Sequence, residues 1–202
     1  VALGHINLYQ KFVRLEDEQK VPEFSLRHLK KLTDDFGIIQ FANHTKPDLH
    51  YGYATDDNAR ALIVTTQALA QLGENSDILE LTKRYLKFIS RMQRPRGTFA
   101  NLVNGKRKII RQRPSENAQG RTLWALGYLM SQDAVPHEMK KEAERMFRKA
   151  TPAIRELASP RAIAFAILGL FWYTKAKTSV HHSRLLREFA DKQIANYLQA
   201  AG

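Results

Sequence analysis

Three polar loops in this chain each deliver an arginine to the start of a helix that reads almost entirely apolar. The first is Gly52-Tyr53-Ala54-Thr55-Asp56-Asp57-Asn58-Ala59-Arg60-Ala61-Leu62. The second is Ser115-Glu116-Asn117-Ala118-Gln119-Gly120-Arg121-Thr122-Leu123-Trp124-Ala125-Leu126-Gly127, and the third is Ser159-Pro160-Arg161-Ala162-Ile163-Ala164-Phe165. The arginines at 60, 121 and 161 are spaced by 61 and then 40 residues. Recurrence of one supersecondary unit predicts an array of helical hairpins with the polar loops at one end.

The remaining sequence alternates in the same way. Residues 58–72, 118–131 and 160–174 are apolar and rich in small side chains, whereas 76–93, 136–149 and 180–200 are amphipathic and charged. Ile78, Leu81, Tyr85, Phe88, Ile89 and Met92 keep the three-and-four spacing of one buried face, as do Leu185, Leu186, Phe189, Ile194, Tyr197 and Leu198. This predicts an all-α double layer, with inner helices buried on most sides and outer helices wet on one. Gly73, Pro95 and Gly97 suit helix ends, Ser159 suits a cap before Pro160, and Pro136 and Pro152 suit first helical positions. Only 97–106, ending in Asn104-Gly105, suggests a small hairpin, inserted on the loop face. Residues 1–22 read as a lead-in helix or linker before one domain spanning 23–202, a length sufficient for a substantial core.

Composition narrows the partners. The formal net charge of +12 favours acidic partners such as nucleic acid, acidic headgroups or acidic glycans. The cations are dispersed over Lys30-Lys31, Lys106-Arg107-Lys108, Arg111, Arg113, Lys140-Lys141 and Arg184, as expected of solvated outer helices. The run from Ala162 to Tyr173 falls short of the ~20 residues a membrane span needs. The absence of cysteine and of a signal peptide at the start fits a cytoplasmic protein. No metal site is expected: His137-Glu138 lacks the second histidine of a zinc helix, His44 and His50 match no ligand spacing, and adjacent His181 and His182 point apart. No cofactor is expected either, since neither a phosphate loop nor a dinucleotide fingerprint occurs.

The motifs at 52–62, 115–127 and 159–165, together with Thr33-Asp34-Asp35-Phe36-Gly37-Ile38-Ile39-Gln40, resemble a bacterial α/α-toroid domain. That domain is similar to the six-hairpin glycosidases and often follows a retaining glycosyltransferase of the two-Rossmann-domain type. The likeness covers about residues 26–170. It implies an α/α-toroid-like array, here a partial ring of about three hairpins plus an N-terminal helix. It also implies an oligosaccharide or polysaccharide as ligand and a glycosyltransferase domain as neighbour. Gln119 stands where the family's motif is expected to carry a histidine.

Glycosidic cleavage uses two carboxylic acids. Asp56, Asp57 and Glu116 are the candidates, and repulsion between the adjacent aspartates would raise one pKa, as a general acid requires. Helix-dipole and capping preferences account for carboxylates at those positions equally well. Arg60, Arg121 and Arg161, with Asn58 and Gln119, are candidates for binding sugar hydroxyls, carboxylates or phosphates, against the alternative of pairing with neighbouring acids. Tyr51 and Tyr53, in a loop, are candidates for stacking on sugar rings. Trp124 and Phe99 are weighed beside them, Trp124 with core packing as its first reading. The expected reading is a glycan-binding or glycan-cleaving domain, with a non-catalytic module attached to a glycosyltransferase as the alternative. Three hairpins cannot close a ring, so an apolar edge is expected, covered by a second copy in a homo-oligomer or by further sequence.

Overall fold

A computed structural model describes residues 24–73, 75–110 and 115–201. The lead-in segment 1–22, Arg111 and Arg113 lie outside the described residues. The fold is all-α, with α1 at Arg27–Lys31, α2 at Thr55–Leu72, α3 at Ser76–Met92, α4 at Glu116–Ser131, α5 at His137–Ala150, α6 at Pro160–Ala176 and α7 at Val180–Ala201. Two minimal antiparallel sheets accompany the helices. Strands β1 (Ala42–Asn43) and β2 (Lys46–Pro47) form one, β3 (Tyr53–Ala54) and β4 (Leu102–Val103) the other. Val103 also bridges to Ile109, so the hairpin expected at Asn104-Gly105 forms and is stitched to the entry of α2. Asn104 closes its turn by accepting from the amides of Lys106 and Lys108.

Local chemistry sets the helix boundaries. Gly73 ends α2 at φ 74°, a conformation that a Cβ disfavours. Asn75 caps α3 by accepting from Ile78 N, and Ser115 caps α4 by accepting from Ala118 N. Ser159 occupies the N-cap of α6 without making a side-chain cap bond, while Pro136 is itself the N-cap of α5 rather than its first residue.

The alternation read in the sequence becomes two layers. Inner helices α2, α4 and α6 pack side by side, and outer helices α3, α5 and α7 each pack on the inner helix they follow. Leu62, Leu126, Phe147, Ile163, Leu170, Leu185 and Phe189 belong to the resulting continuous core. Contact between α4 and α6 is backbone to backbone. A Cβ on Gly120 would lie 2.3 Å from Ala162 O, and one on Gly127 would lie 2.3 Å from Gly169 O. Both pairs share the same offset along the chain, so the helices run parallel and their N-termini share one end.

The outermost elements are less enclosed than the periodicity predicts. The apolar stripe of α7 is buried at Leu185 and Phe189 but open at Ile194, Tyr197 and Leu198, where no described element packs against it. On α6, Leu168 and Phe171 are also exposed. Among the described residues no helix is long and apolar enough to cross a membrane.

At the base of α7, His182 is buried against Tyr173, with ring centroids 4.1 Å apart. Its Nε2 contacts Thr151 Oγ1 at 3.2 Å and its Nδ1 contacts Ser179 Oγ at 2.8 Å. Burial, reinforced by His181 and Arg148 and opposed by Glu144, pushes its pKa down to about 4.

Two outcomes follow from this packing. Gly→Ala in a helix ordinarily gains about 1 kcal/mol. Gly169→Ala should instead cost ~1–3 kcal/mol in urea unfolding, because its Cβ would meet the Leu123 carbonyl carbon at 2.6 Å. A stabilised variant would refute the close approach. The second concerns pH. His182 stays neutral in the folded chain while the unfolded chain takes up a proton near pH 6.5, so the unfolded state binds more protons in between. Stability should therefore fall by roughly 2–3 kcal/mol between pH 6.5 and 4, and His182→Gln should flatten that part of the profile.

Candidate functional site

The shared N-terminal end of α2, α4 and α6 gathers the predicted site residues. Asp56 and Asp57 lie in the first turn of α2, where the helix dipole favours negative charge. Asp56 Oδ2 accepts from Arg60 Nη2 at 2.8 Å, and its Oδ1 lies 3.0 Å from Arg121 Nε on α4. The second contact is an ion pair without hydrogen-bond alignment, so both of those buried atoms keep an unspent hydrogen-bonding site. Arg161, exposed in the first turn of α6, completes the set of three arginines at one end.

The electrostatics separate the two aspartates. Asp57 is held more loosely than Asp56, with Arg60 Nη1 4.0 Å from its Oδ1. Burial raises the Asp57 pKa; Arg60 pulls it down, Asp56 pushes it up and Arg121 pulls it down. The Arg121 guanidinium is almost enclosed, and burial lowers its pKa against the pull of Asp56, with Arg60 and Arg161 adding like-charge repulsion.

Beneath Arg121 runs a series of aromatic rings. Its guanidinium sits 4.3 Å from the Phe165 ring centroid, and Phe165 stacks on Trp124 at 5.8 Å and 16°. One turn further along α4, Tyr128 meets Trp172 edge to face at 5.1 Å, and Trp172 meets Phe171 at the same distance. Trp124, Tyr128, Phe165 and Trp172 are all half-buried, so each keeps part of a ring accessible. These residues recur at helical spacing on two neighbouring inner helices. The sequence carried that signal, but an apolar helix makes it read as core.

Several expected binding residues turn out to be structural. Tyr53 is fully buried because β3 pairs with β4 and turns it inward. Its hydroxyl donates to Asp34 Oδ2, and burial followed by that bond raises its pKa to about 12. Asn58 is fully buried as well: Oδ1 accepts from Ile38 N and Nδ2 donates to Ala54 O, tying the loop before β1 to the start of α2. Gln119 is buried, and its Oε1 accepts from Phe99 N at 3.0 Å, while Phe99 itself lies in the core. Tyr51 is exposed but packs on Phe41 and His50.

Glu116 is committed to the backbone. Its Oε2 accepts from Ala158 N at 2.8 Å and Ser159 N at 2.7 Å. Ser159 is the N-cap of α6, so Glu116 supplies from α4 what the glutamate of a capping box supplies within its own helix. Asp34, singled out in the sequence only through the 33–40 motif, proves to be a hub. It accepts from Phe36 N and Gly37 N as well as from Tyr53, while neighbouring Asp35 pairs with Arg107.

Among the described residues six buried polar atoms around this end make no hydrogen bond: Asp56 Oδ1, Asn101 Oδ1, Asn117 Oδ1, Gln119 Nε2, Arg121 Nε and Thr122 Oγ1. Such groups are rare in a folded chain and concentrate where water or a ligand completes the network. Among the described residues no group of three or more metal-ligating side chains converges. Comparison with protein-family models and with curated proteins finds no match for this chain, so a functional reading rests on this geometry.

Glu116→Ala should destabilise the fold by ~1–2 kcal/mol, the usual worth of charge-assisted bonds to backbone amides that stay partly solvated. Urea unfolding measures it, and an unchanged midpoint would show that the 157–159 loop does not depend on Glu116.

Proposed function

We propose that the N-terminal end of the inner helices is a glycan-binding face, and that the three hairpins form part of an α/α-toroid-like domain. The observation that carries this reading is the junction at Arg121. There an ion-paired, incompletely hydrogen-bonded polar cluster meets half-buried aromatic rings within one side chain's reach. A sugar ring presents hydroxyls at its edge and C–H groups on its face, and this junction offers a partner for each. Arg161, with no acidic partner among the described residues, and Arg60, more than half exposed, favour a glycan that carries acidic groups.

Within this reading Asp57 is the group nearest to acid function, because its pKa is raised and it is only loosely paired. Hydrolysis calls for a second carboxylate across the sugar. Glu116, the sequence's candidate, is engaged by two backbone amides instead. The geometry therefore supports binding over cleavage, which fits an accessory module that holds a glycan for a neighbouring glycosyltransferase domain. Asp56, held by two arginines, sets the orientation of Arg121 in the same scheme.

The test is titration calorimetry against neutral and uronate-containing oligosaccharides. Asp57→Asn and Trp124→Ala should each weaken binding tenfold or more. The thermal midpoint of Asp57→Asn should stay close to wild type, because a carboxylate in the first turn contributes only ~0.3–1 kcal/mol through the dipole. Failure to bind either glycan class, or a large stability loss in Asp57→Asn with affinity intact, would overturn the reading. Turnover of any bound glycan would restore the hydrolytic alternative.

A further inference from the structure

Away from the aromatic face, a cavity of about 640 Å³ opens where α5, the 3-10 turn Thr151–Glu156 and the base of α7 meet. Its size falls within the ~300–1,000 Å³ of ordinary small-molecule sites. Arg148, Arg155 and Lys177 line it against one carboxylate, Glu144. Glu144 is spent on Lys177 at 3.0 Å, and Arg155 is paired from outside the cavity with Glu188 at 2.7 Å. Arg148 has no acidic partner among the described residues, so the lining keeps an excess of positive charge even when Glu188 is included. Thr178 and Ser179 also line it, with the Ser179 hydroxyl engaged by His182 Nδ1 at 2.8 Å. Tyr173 and His182, buried ring against ring, close its inner side.

From this juxtaposition we infer that the cavity is a second binding site, for a phosphorylated small molecule. Its phosphate is held by Arg148 beside Thr178, and its sugar moiety fills the cavity toward the exposed Pro152. A guanidinium without a partner suits a phosphate oxygen pair bidentately, and an adjacent hydroxyl supplies a further donor to the same group. Glu144 gives the site a release element: its ion pair with Lys177 keeps that cation inside the lining, and a phosphate competes with Glu144 for it. The inference uses none of the groups of the glycan-binding face and stands independently of it.

Calorimetry with inorganic phosphate, ribose 5-phosphate and glucose 6-phosphate tests the site, with ribose and glucose as the matching unphosphorylated probes. The two sugar phosphates should bind, the free sugars should not, and inorganic phosphate should bind more weakly than either ester. Arg148→Ala should weaken sugar-phosphate binding tenfold or more. Arg148 is exposed, so the variant's unliganded thermal midpoint should match wild type. Arg60→Ala, outside the cavity lining, should leave that affinity unchanged. Equal affinity in Arg148→Ala, loss in Arg60→Ala, or no binding of any phosphate ester would overturn the assignment. So would binding to phosphatidylglycerol vesicles in the absence of sugar-phosphate binding, which would move the anion from a small molecule to a membrane headgroup.

Discussion

The backbone contact between α4 and α6 determines where the chemistry of this chain can lie. Gly120, Gly127 and Gly169 remove the Cβ atoms that would hold the two helices apart, and the resulting spacing leaves no room for a methyl group. Because both close contacts keep the same register, the helices are locked parallel, with α5 as the antiparallel return between them. α2 joins the same array through its packing on α4 and through the Asp56–Arg121 pair. A polar end and an apolar body then follow from one packing decision, since every inner helix starts at the same level.

Parallel helices bring an electrostatic cost: three positive dipole ends are stacked together rather than alternating. The first turns respond with Asp56 and Asp57 on α2 and Glu116 on α4. No acidic residue lies in the first turn of α6, and its N-cap serine makes no side-chain bond. Glu116 fills that deficit from the neighbouring helix. Arginines inserted into the same end are stable only because the aspartates are already present. The one most deeply enclosed, Arg121, also has the Phe165 ring against its guanidinium. The polar cluster is therefore part of how the array is assembled as well as a surface that can recognise a ligand. This dual role explains why the two aspartates differ: Asp56 completes the inter-helix pairing, while Asp57 sits one position around the helix with its carboxylate largely uncommitted.

What the sequence made legible was the periodic part. Layering, helix order and the shared end of Arg60, Arg121 and Arg161 could all be read from spacing, because burial of an apolar stripe is a local demand that each helix meets on its own residues. Loop residues were harder to read. Tyr51 and Tyr53 are two positions apart and chemically identical, yet one is exposed and the other fully buried. The difference comes from pairing with Leu102–Val103, nearly fifty residues away, which no local pattern encodes. Asn58 and Gln119 carry the chemistry of ligand-binding amides, but each closes a buried backbone gap made by a distant loop. The outer half of α7 failed in the other direction. Ile194, Tyr197 and Leu198 continue a correct helical stripe past the point where the described array has anything left to cover them.

The large positive charge takes on a different meaning once distributed over this architecture. On the loop face Asp56 and Asp57 offset Arg60 and Arg121, while Arg161 has no acidic partner among the described residues. Around the α5–α7 cavity the balance is incomplete, because Glu144 pairs with Lys177 and Arg148 has no acidic partner among the described residues. A single basic stripe, as a nucleic acid backbone requires, would place cations in register along one surface. Here the outer-layer cations fall into local ion pairs such as Lys83–Glu80, Lys141–Glu138 and Arg155–Glu188. Exposed pairs of this kind add little stability, and they break up the cations of the outer layer without removing the net charge of +12. The cavity lined by Arg148, Arg155 and Lys177 and the polar cluster at Arg121 draw on separate residues, so each place can be altered without touching the other.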